Sequence, residues 1–203
     1  AMVHACARSS DPARAEHWVE KMQAAGVGAN IVTYNSVINA CAKAGDASRA
    51  EHWLREMQAR GVPPDTISYS TVIHACVRER QPHRAAEWLA EMGTTEEPPS
   101  GFCYGSVVQA LARAGDAAAA GYWLRDALKV GADVNENCFG CVIGACLRES
   151  DLEGAEQWLR EATRHGATPE ASRRSVAAAW ARRGDAARAD VGRHDSAVQL
   201  GRT

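Results

Sequence analysis

The chain of 203 residues lacks a long apolar run and lacks an excess of basic charge. A membrane-spanning helix needs about 18 or more consecutive apolar residues, so no segment is expected to cross a bilayer. The formal net charge of −2 argues against indiscriminate, strongly electrostatic binding of nucleic acid, but it allows a basic stripe on one face. The sequence also lacks a nucleophile beside a base, a phosphate-binding loop and a paired carboxylate site. We therefore expect neither an enzyme nor a site for a small-molecule substrate.

The cysteines are too far apart to predict disulfides. Four of them recur at one position of a 35-residue interval, and a leucine replaces them once: Cys6, Cys41, Cys76, Leu111 and Cys146. Leucine in place of cysteine indicates a small, buried apolar position. In adjacent packed helices such positions lie roughly 10 Å apart, whereas a disulfide needs Cα atoms within about 7 Å. A reducing compartment is therefore expected.

A second group of cysteines, Cys138, Cys141, Cys146 and Cys103, contains one CxxC motif. A structural zinc site needs four ligands, usually supplied as two matched pairs. Only one pair is present, at the start of a predicted helix, so packing in a helical core is favoured. No metal and no other cofactor is expected.

The most regular feature of the chain is a large aromatic residue at intervals of 35 residues. The tryptophans that keep this interval are Trp18, Trp53, Trp88, Trp123 and Trp158. A fixed period between about 20 and 50 residues is typical of stacked repeats, in which each unit buries its apolar face on its neighbours. The interval therefore predicts a repeat array with the tryptophans in its core. Residues that stand 35 apart occupy equivalent positions.

Each unit has the pattern of two helices. In the unit 31–65, the apolar side chains between residues 34 and 41 fall at i, i+3, i+4 and i+7, which makes one helical stripe. Asp46 can cap a second helix. That helix has its own apolar stripe between residues 50 and 57, and Gly61 ends it. The unit is predicted to be an antiparallel helix pair.

The array is predicted to begin within a copy and to decay at its end. The four complete copies are 31–65, 66–100, 101–135 and 136–170. A partial copy over 1–30 lacks its opening residues, so we expect a fragment of a longer array. A degenerate copy over 171–189 is one residue short between Gly166 and Val176, and residues 190–203 are expected to form a frayed tail.

Acidic residues recur on the second helices, and Glu16, Glu51 and Glu56 are examples. Because arginines stand beside them, we expect an outer, mixed-charge face. The simplest interpretation is a solvated helix surface with i, i+4 ion pairs.

The copies closely resemble the pentatricopeptide repeat from residue 1 to about 189. In the second copy the resemblance rests on Val32–Ile38, Ala42–Asp46, Glu56–Met57 and Gly61–Asp65. The 34-residue tetratricopeptide repeat would need the pattern Trp-x-x-Leu-Gly-x-x-Tyr in its first helix, which no copy has. The resemblance implies an all-α, right-handed superhelical solenoid of antiparallel helix-turn-helix repeats.

Pentatricopeptide proteins bind single-stranded RNA, mostly in mitochondria and plastids, and read one base per repeat. In the family, the residue equivalent to Asn35 and the last residue of the repeat select the base, so Asn35 with Asp65 resembles a uridine reader. A short amide and a carboxylate can together address the polar edge of a pyrimidine. The following pairs are Ser70 with Ser100, Gly105 with Asn135, and Gly140 with Glu170. Because glycine has no side-chain donor or acceptor, the last two pairs should read their base poorly.

The family also sandwiches each base between the residue at the Val32 position and its counterpart in the next repeat. Val32, Ile67 and Phe102 are apolar, as base stacking requires, whereas Asn137 and Ser172 are not. Base-specific reading is therefore expected chiefly in the repeat that contains Asn35.

One position late in each first helix carries a cation in all six copies. The residues are Arg8, Lys43, Arg78, Arg113, Arg148 and Arg182. In the family this position lies near the RNA backbone, so the cations are expected to contact phosphates. The alternative is that a basic residue near a helix C-terminus interacts favourably with the helix dipole.

The resemblance thus implies a single-stranded RNA-binding module that acts in organellar RNA processing, stability or translation, in a mitochondrion or plastid. The alternative is a scaffold for protein partners in which the base-reading positions have degenerated. The glycines at Gly105 and Gly140, Glu170 and the pI of about 6.4 favour this alternative.

Overall fold

The computed structural model describes residues 11–167 and 169–189, and the regular secondary structure of these residues is entirely helical. Ten helices lie within this part of the chain: α1 Pro12–Ala24, α2 Ile31–Ala44, α3 Ala47–Ala59, α4 Thr66–Arg78, α5 Pro82–Met92, α6 Gly101–Ala114, α7 Ala117–Lys129, α8 Glu136–Arg148, α9 Leu152–Arg164 and α10 Glu170–Arg182. Residues 186–189 are helical as well. The chain divides into two compact units, Ala1–Val107 and Val108–Thr203. None of the described helices has the length and apolar character needed to cross a membrane.

The first unit consists of stacked helical hairpins. Helix α2 packs against α3 within one hairpin and α4 packs against α5 within the next, while α2 also packs against α4. Two residues reverse the chain between α2 and α3: Gly45 has a φ of 79°, and the Asp46 side chain accepts a hydrogen bond from the Arg49 N–H at 2.9 Å. Asp46 therefore caps α3, as the sequence predicts.

The second unit is built in the same way. Helix α8 packs against α7 on one side and against α9 within its hairpin, and α10 packs against both α8 and α9. Asp151 caps α9 by accepting a hydrogen bond from the Gly154 N–H at 2.9 Å. The expected all-α fold of helical-hairpin repeats is confirmed.

The first helix of each complete copy begins where the 35-residue interval places it. Helices α2, α4, α6 and α8 begin at residues 31, 66, 101 and 136. Helix α10 departs from this rule, because it begins at Glu170 with Pro169 at its N-cap. The residue by which the sixth copy is short is therefore missing before α10 begins. As a result, Ser172 is the third residue of α10 rather than the second. Residues 190–203, expected as a tail, lie outside the described residues.

The tryptophans at the repeat interval are not equally buried. Trp53, Trp88 and Trp158 are buried as expected, whereas Trp18 and Trp123 are only half-buried.

The cysteine position is a core position. Cys41, Cys76, Leu111 and Cys146 are all buried, and the three thiols are free. Burial raises the pKa of the Cys41 thiol to about 12, so it stays protonated and packs as a small apolar side chain. Cys6 lies outside the described residues.

Two glutamates, Glu16 and Glu51, join consecutive repeats in the first unit, which corrects the expectation of a solvated outer face for these two residues. Glu56, by contrast, forms the expected i, i+4 ion pair with Arg60.

Glu51 of α3 is only 5% exposed. It accepts hydrogen bonds from the indole Nε1 of Trp88 at 2.9 Å and from the Cys76 thiol at 3.2 Å, and it pairs with Arg84. All three partners belong to the next hairpin.

Glu16 of α1 makes the equivalent contacts one repeat earlier. It accepts from Trp53 Nε1 at 2.9 Å and from Arg49 Nε at 3.0 Å. Burial alone would raise the pKa of Glu16, but the hydrogen bonds from Arg49 and Trp53 outweigh it and the pKa is lowered. The carboxylate is therefore charged and fully engaged at neutral pH.

The turn between the two helices of a hairpin needs a residue in the left-handed region. Gly45, Gly115 and Gly184 occupy this position with φ between 79° and 89°, whereas Arg80 and Ser150 occupy it with φ of 58° and 63°. A residue with a Cβ atom is strained there, and glycine is not. Arg80 and Ser150 therefore store strain in the two hairpins that lack the glycine.

We expect Ser150→Gly to raise the free energy of unfolding by roughly 1 kcal/mol, because it relieves this strain. Ser150→Ala is the matched control: it keeps the Cβ atom and should give no gain. Urea unfolding followed by circular dichroism measures both changes. Equal stability of the two variants would contradict the explanation.

Candidate nucleic-acid interface

Three apolar side chains remain exposed at one repeated position of the first unit. Val32 is 62% exposed, Ile67 62% and Phe102 73%, and each is the second residue of its helix. The other large apolar residues exposed among the described residues are Val27, Tyr122 and Val130, which stand at three unrelated positions of the repeat. An apolar side chain exposed three times in register is not needed by the core, and it indicates a contact surface.

The predicted site residues of α2 share one face of the helix. Val32, Asn35, Asn39 and Lys43 follow the spacing of one helical stripe, and all four are exposed or half-exposed. We name this stripe, together with its equivalent on α4 (Ile67, Ser70, His74 and Arg78), the first-helix face. Val32 and Lys43 are roughly 16 Å apart along the axis, but helical side chains lean towards the N-terminus. The cation therefore reaches back towards the apolar end.

Consecutive hairpins meet on this face through side chains. The rings of His74 on α4 and Phe102 on α6 have centroids 4.9 Å apart. The Ser106 hydroxyl lies 3.3 Å from His74 Nε2. Burial lowers the pKa of His74, so the ring is neutral at neutral pH and supports Phe102 without adding charge.

The structure brings together the predicted base-reading pair. The Asn35 amide nitrogen Nδ2 donates to both carboxylate oxygens of Asp65, at 3.1 and 3.3 Å. Asp65 is also the N-cap residue of α4, where it accepts a hydrogen bond from the Ser68 N–H at 2.8 Å. The two side chains are therefore held side by side at the start of α4, next to the exposed Ile67.

The electrostatics of Asp65 favour the charged form. Burial raises the pKa of this carboxyl, but hydrogen bonds from the Ser68 N–H and the Asn35 amide outweigh it, and the pKa lies below its ordinary value. At neutral pH the side chain is therefore a carboxylate, which accepts hydrogen bonds and donates none.

The later pairs have no such arrangement. The Ser70 hydroxyl donates to the Ile67 carbonyl in its own helix at 3.2 Å, and Ser100 caps α6 by accepting from the Cys103 N–H at 3.4 Å. Asn135 caps α8 in the same way. Glu170 is the first residue of α10 rather than its N-cap, so it does not occupy the position that Asp65 occupies.

The cations at the repeated position are exposed wherever the structure describes them. They are Lys43, Arg78, Arg113, Arg148 and Arg182; Arg8 lies outside the described residues. None of the five forms an ion pair with a carboxylate of residues 11–167 or 169–189. Several arginines of the second helices, by contrast, are paired with carboxylates: Arg49 with Glu16, Arg55 with Glu91, Arg84 with Glu51 and Arg160 with Glu156.

Two of these cations also serve the helix ends, as the alternative interpretation supposes. Arg78 Nη1 donates to the Ala42 carbonyl near the C-terminus of α2 at 3.2 Å, and the neighbouring Glu79 carboxylate accepts from the Ala47 N–H at the start of α3. The Ala42 carbonyl also accepts from the Gly45 N–H, so Arg78 adds a second donor there. The Ala47 N–H, by contrast, is one that its helix leaves unpaired.

The same clamp recurs in the second unit. Arg148 Nη2 donates to the Ala112 carbonyl at 2.6 Å, and Glu149 accepts from the Ala117 N–H at 2.8 Å. Sequence reasoning did not find this clamp, although the Arg–Glu dipeptide at every second copy is a signal for it.

Of the two CxxC cysteines, Cys138 belongs to the helical core and Cys141 is half-buried. Cys138 is completely buried at the third position of α8, and its thiol lies 3.3 Å from the Asn135 side-chain oxygen. The packing interpretation accounts for this position.

Models of pentatricopeptide repeats match the sequence in several places. The PPR repeat family matches residues 29–78, the pentatricopeptide repeat domain matches residues 1–44, and the PPR repeat matches residues 67–94 and 138–166. No curated protein sequence matches the chain.

Solved structures of pentatricopeptide proteins have a similar fold. The crystal structure of the pentatricopeptide repeat protein PPR10 from maize has a TM-score of 0.59 at 22% identity, covering 89% of this chain and 26% of that one. PPR10 in complex with an 18-nt psaJ RNA element has a TM-score of 0.61 at 23% identity, covering 99% and 28%. The chain therefore spans about a quarter of the length of these PPR10 structures.

A third structure is matched over most of its length. The PPR domain of Arabidopsis thaliana protein-only RNase P 1, in complex with tRNA, has a TM-score of 0.67 at 17% identity, covering 78% of this chain and 84% of that one. At such identities the likeness shows the fold. Because the family models together match more than half of the residues, this protein belongs to the pentatricopeptide repeat family.

Proposed function

We propose that this protein binds single-stranded RNA along the first-helix face and that it acts on organellar transcripts, in a mitochondrion or plastid, in their processing, stability or translation. The observation that carries the proposal is the exposure of Val32, Ile67 and Phe102 in register beside the joined pair of Asn35 and Asp65. The protein acts by occupancy: it coats a transcript segment, and no catalytic step or cofactor is part of the proposal.

The chemistry of the pair suits a uridine. An apolar or aromatic side chain above and below a base supplies stacking that tolerates every base, so specificity must come from the base edge. Uridine presents one ring N–H between two carbonyl oxygens. The Asp65 carboxylate accepts from that N–H, and the second N–H of the Asn35 amide, which Asp65 does not use, donates to a carbonyl.

The exposed cations supply the backbone contacts in this proposal. Arg78 and Arg148 each give one N–H to a helix carbonyl, and a guanidinium has five, so donors remain for a phosphate. Lys43, Arg113 and Arg182 add unpaired charge at the same position, and Arg8 is assigned the same role.

Two of the similar structures were determined with bound RNA, one with an RNA element and one with tRNA. They support the choice of ligand class. The base-reading role of Asn35 and Asp65 is proposed from their resemblance to the family pattern and from their contact. Ser70, Ser100 and Asn135 are proposed as weaker readers, because they bond locally instead.

Removing two cations should weaken RNA binding and its dependence on salt. For single strands, the slope of log affinity against log salt changes by about 0.7 for each phosphate contact. We therefore expect the double variant Lys43→Glu and Arg113→Glu to reduce the slope by about 1.4, measured by fluorescence anisotropy with pooled single strands.

The matched control for that experiment is Lys21→Glu with Lys129→Glu. These lysines also stand in the last turns of their helices, but on second helices, so the control should bind like the unmodified protein. Equal losses in both double variants, or no binding by the unmodified chain at low salt, would contradict the proposal. A protein partner that stays bound at high salt would favour the scaffold alternative.

Asn35→Thr should move base preference away from uridine and towards a purine, because the amide donor is replaced by a hydroxyl. Selection from a randomised pool of single-stranded RNA, followed by sequencing, measures the change. Asn39→Thr is the control: it makes the same substitution one turn further along α2 and should leave the profile unchanged. An unaltered profile for Asn35→Thr would refute the assignment of this residue.

A further inference from the structure

A buried hydroxyl lies beside the base-reading pair. Ser68, the third residue of α4, is 1% exposed. Its Oγ lies 2.5 Å from the Asn35 amide oxygen Oδ1 and 2.8 Å from Asp65 Oδ1, and it accepts a hydrogen bond from the Asp65 N–H at 3.2 Å. Ser68 therefore contacts both members of the pair from the protein side.

The geometry shows what the hydroxyl does for the amide. A serine hydroxyl has one proton to donate, and its shortest acceptor distance is to Asn35 Oδ1. The amide oxygen is thus held towards the protein, while Nδ2 faces the Asp65 carboxylate and keeps one N–H for a ligand. Turning the amide over would break the bond from Ser68 and would also place two acceptors, Asn35 Oδ1 and the carboxylate, against each other.

The orientation of the amide decides which pyrimidine it suits. With Nδ2 outward the pair offers a donor, which matches a carbonyl of uridine. With Oδ1 outward it offers an acceptor, which matches the exocyclic amine that cytidine carries in place of one carbonyl. The contacts of Asn35 with Asp65 and with Ser68 each disfavour the orientation with Oδ1 outward. Loss of either contact therefore lowers the free-energy cost of turning the amide over.

The chain itself shows that the hydroxyl is not needed for packing. The equivalent residues in the next two copies are Cys103 and Cys138, and both are buried. They follow copies that have Ser70 and Gly105 in place of Asn35. A thiol therefore fits this position of the helix. In both cases the preceding copy has no asparagine amide that a hydroxyl could orient.

We propose that Ser68 is a specificity-determining positioning residue, which holds the Asn35 amide in the orientation that favours uridine over cytidine. This inference rests on the proposed function, and it adds a third side chain, from the following repeat, to the base-reading pair. A single uncharged hydrogen bond that fixes an orientation changes a preference by roughly three- to tenfold.

The test compares Ser68→Cys with the unmodified protein on short single strands of constant sequence, in which one position at a time carries U or C. We expect the unmodified protein to prefer U at one position. Ser68→Cys should lower that U-to-C affinity ratio by roughly three- to tenfold, with little change in the affinity for strands that vary elsewhere. Ser68→Ala is the second variant if the thiol prevents folding.

Ser68→Thr is the rescue variant. Thr33 stands at the equivalent, half-exposed position of α2, where its Oγ1 donates to the side-chain oxygen of the N-cap residue Asn30 at 3.0 Å, so a threonine hydroxyl can make this contact. Ser68→Thr should restore the ratio, whereas a merely structural role of Ser68 would alter stability and leave the ratio alone. An unchanged ratio in Ser68→Cys and Ser68→Ala, with RNA still bound, would overturn the inference and leave the proposed function standing. Absence of any RNA binding by the unmodified chain would overturn both.

Discussion

The hydrogen bond from a tryptophan indole to a largely buried glutamate of the preceding repeat is the interaction on which the first unit depends. Trp53 donates to Glu16, and Trp88 donates to Glu51. Each bond ties the second helices of two consecutive hairpins together, and an arginine of the later hairpin compensates the buried charge. A buried carboxylate without such partners would be strongly unfavourable. The same contacts that stabilise the core therefore fix how these hairpins lie on one another, and the bridge between Glu51 and Trp88 sets the spacing of Val32 and Ile67.

The second unit uses a different solution at the equivalent position. Gly121 stands where Glu16 and Glu51 stand, and a Cβ atom built on it would lie 2.9 Å from the Trp158 ring. The indole therefore packs directly on the helix backbone, and the Arg125 guanidinium lies 4.7 Å from the ring centroid on the same unit. In four successive pairs the glutamate and its arginine are present or absent together: Glu16 with Arg49, Glu51 with Arg84, Ala86 with Ala119 and Gly121 with Gly154. Glu156, which precedes the shortened last copy, has Ala189 at this separation. The pairing of glutamate with arginine at a separation of 33 residues is a sequence signal for the bridge.

Much of the fold follows from periodicity, because helix stripes, caps and turns are local. The repeat interval predicts the starts of α2, α4, α6 and α8, and it predicts the buried cysteine position. It does not predict the burial of Glu51, since a charged residue at a helical surface spacing is ordinarily solvated and its partners lie in another hairpin. The clamp formed by Arg78 and Glu79 is not predicted for the same reason. It joins residues about one repeat apart, and the spacing of residues within a helix says nothing about such contacts. At the candidate site, the resemblance to the family identifies the apolar residues, and the structure shows that they are exposed. The role of Ser68 could not be predicted, because it depends on contacts between this side chain and those of Asn35 and Asp65 in three dimensions.

The first-helix face is proposed to be the surface that meets RNA, and photo-crosslinking would locate that contact on the protein. Single strands that carry 4-thiouridine would be irradiated with the full chain, and the crosslinked residues identified by mass spectrometry. We expect crosslinks at Val32, Asn35, Ile67 or Phe102. Crosslinks confined to second-helix residues such as His52 or Tyr122 would contradict it.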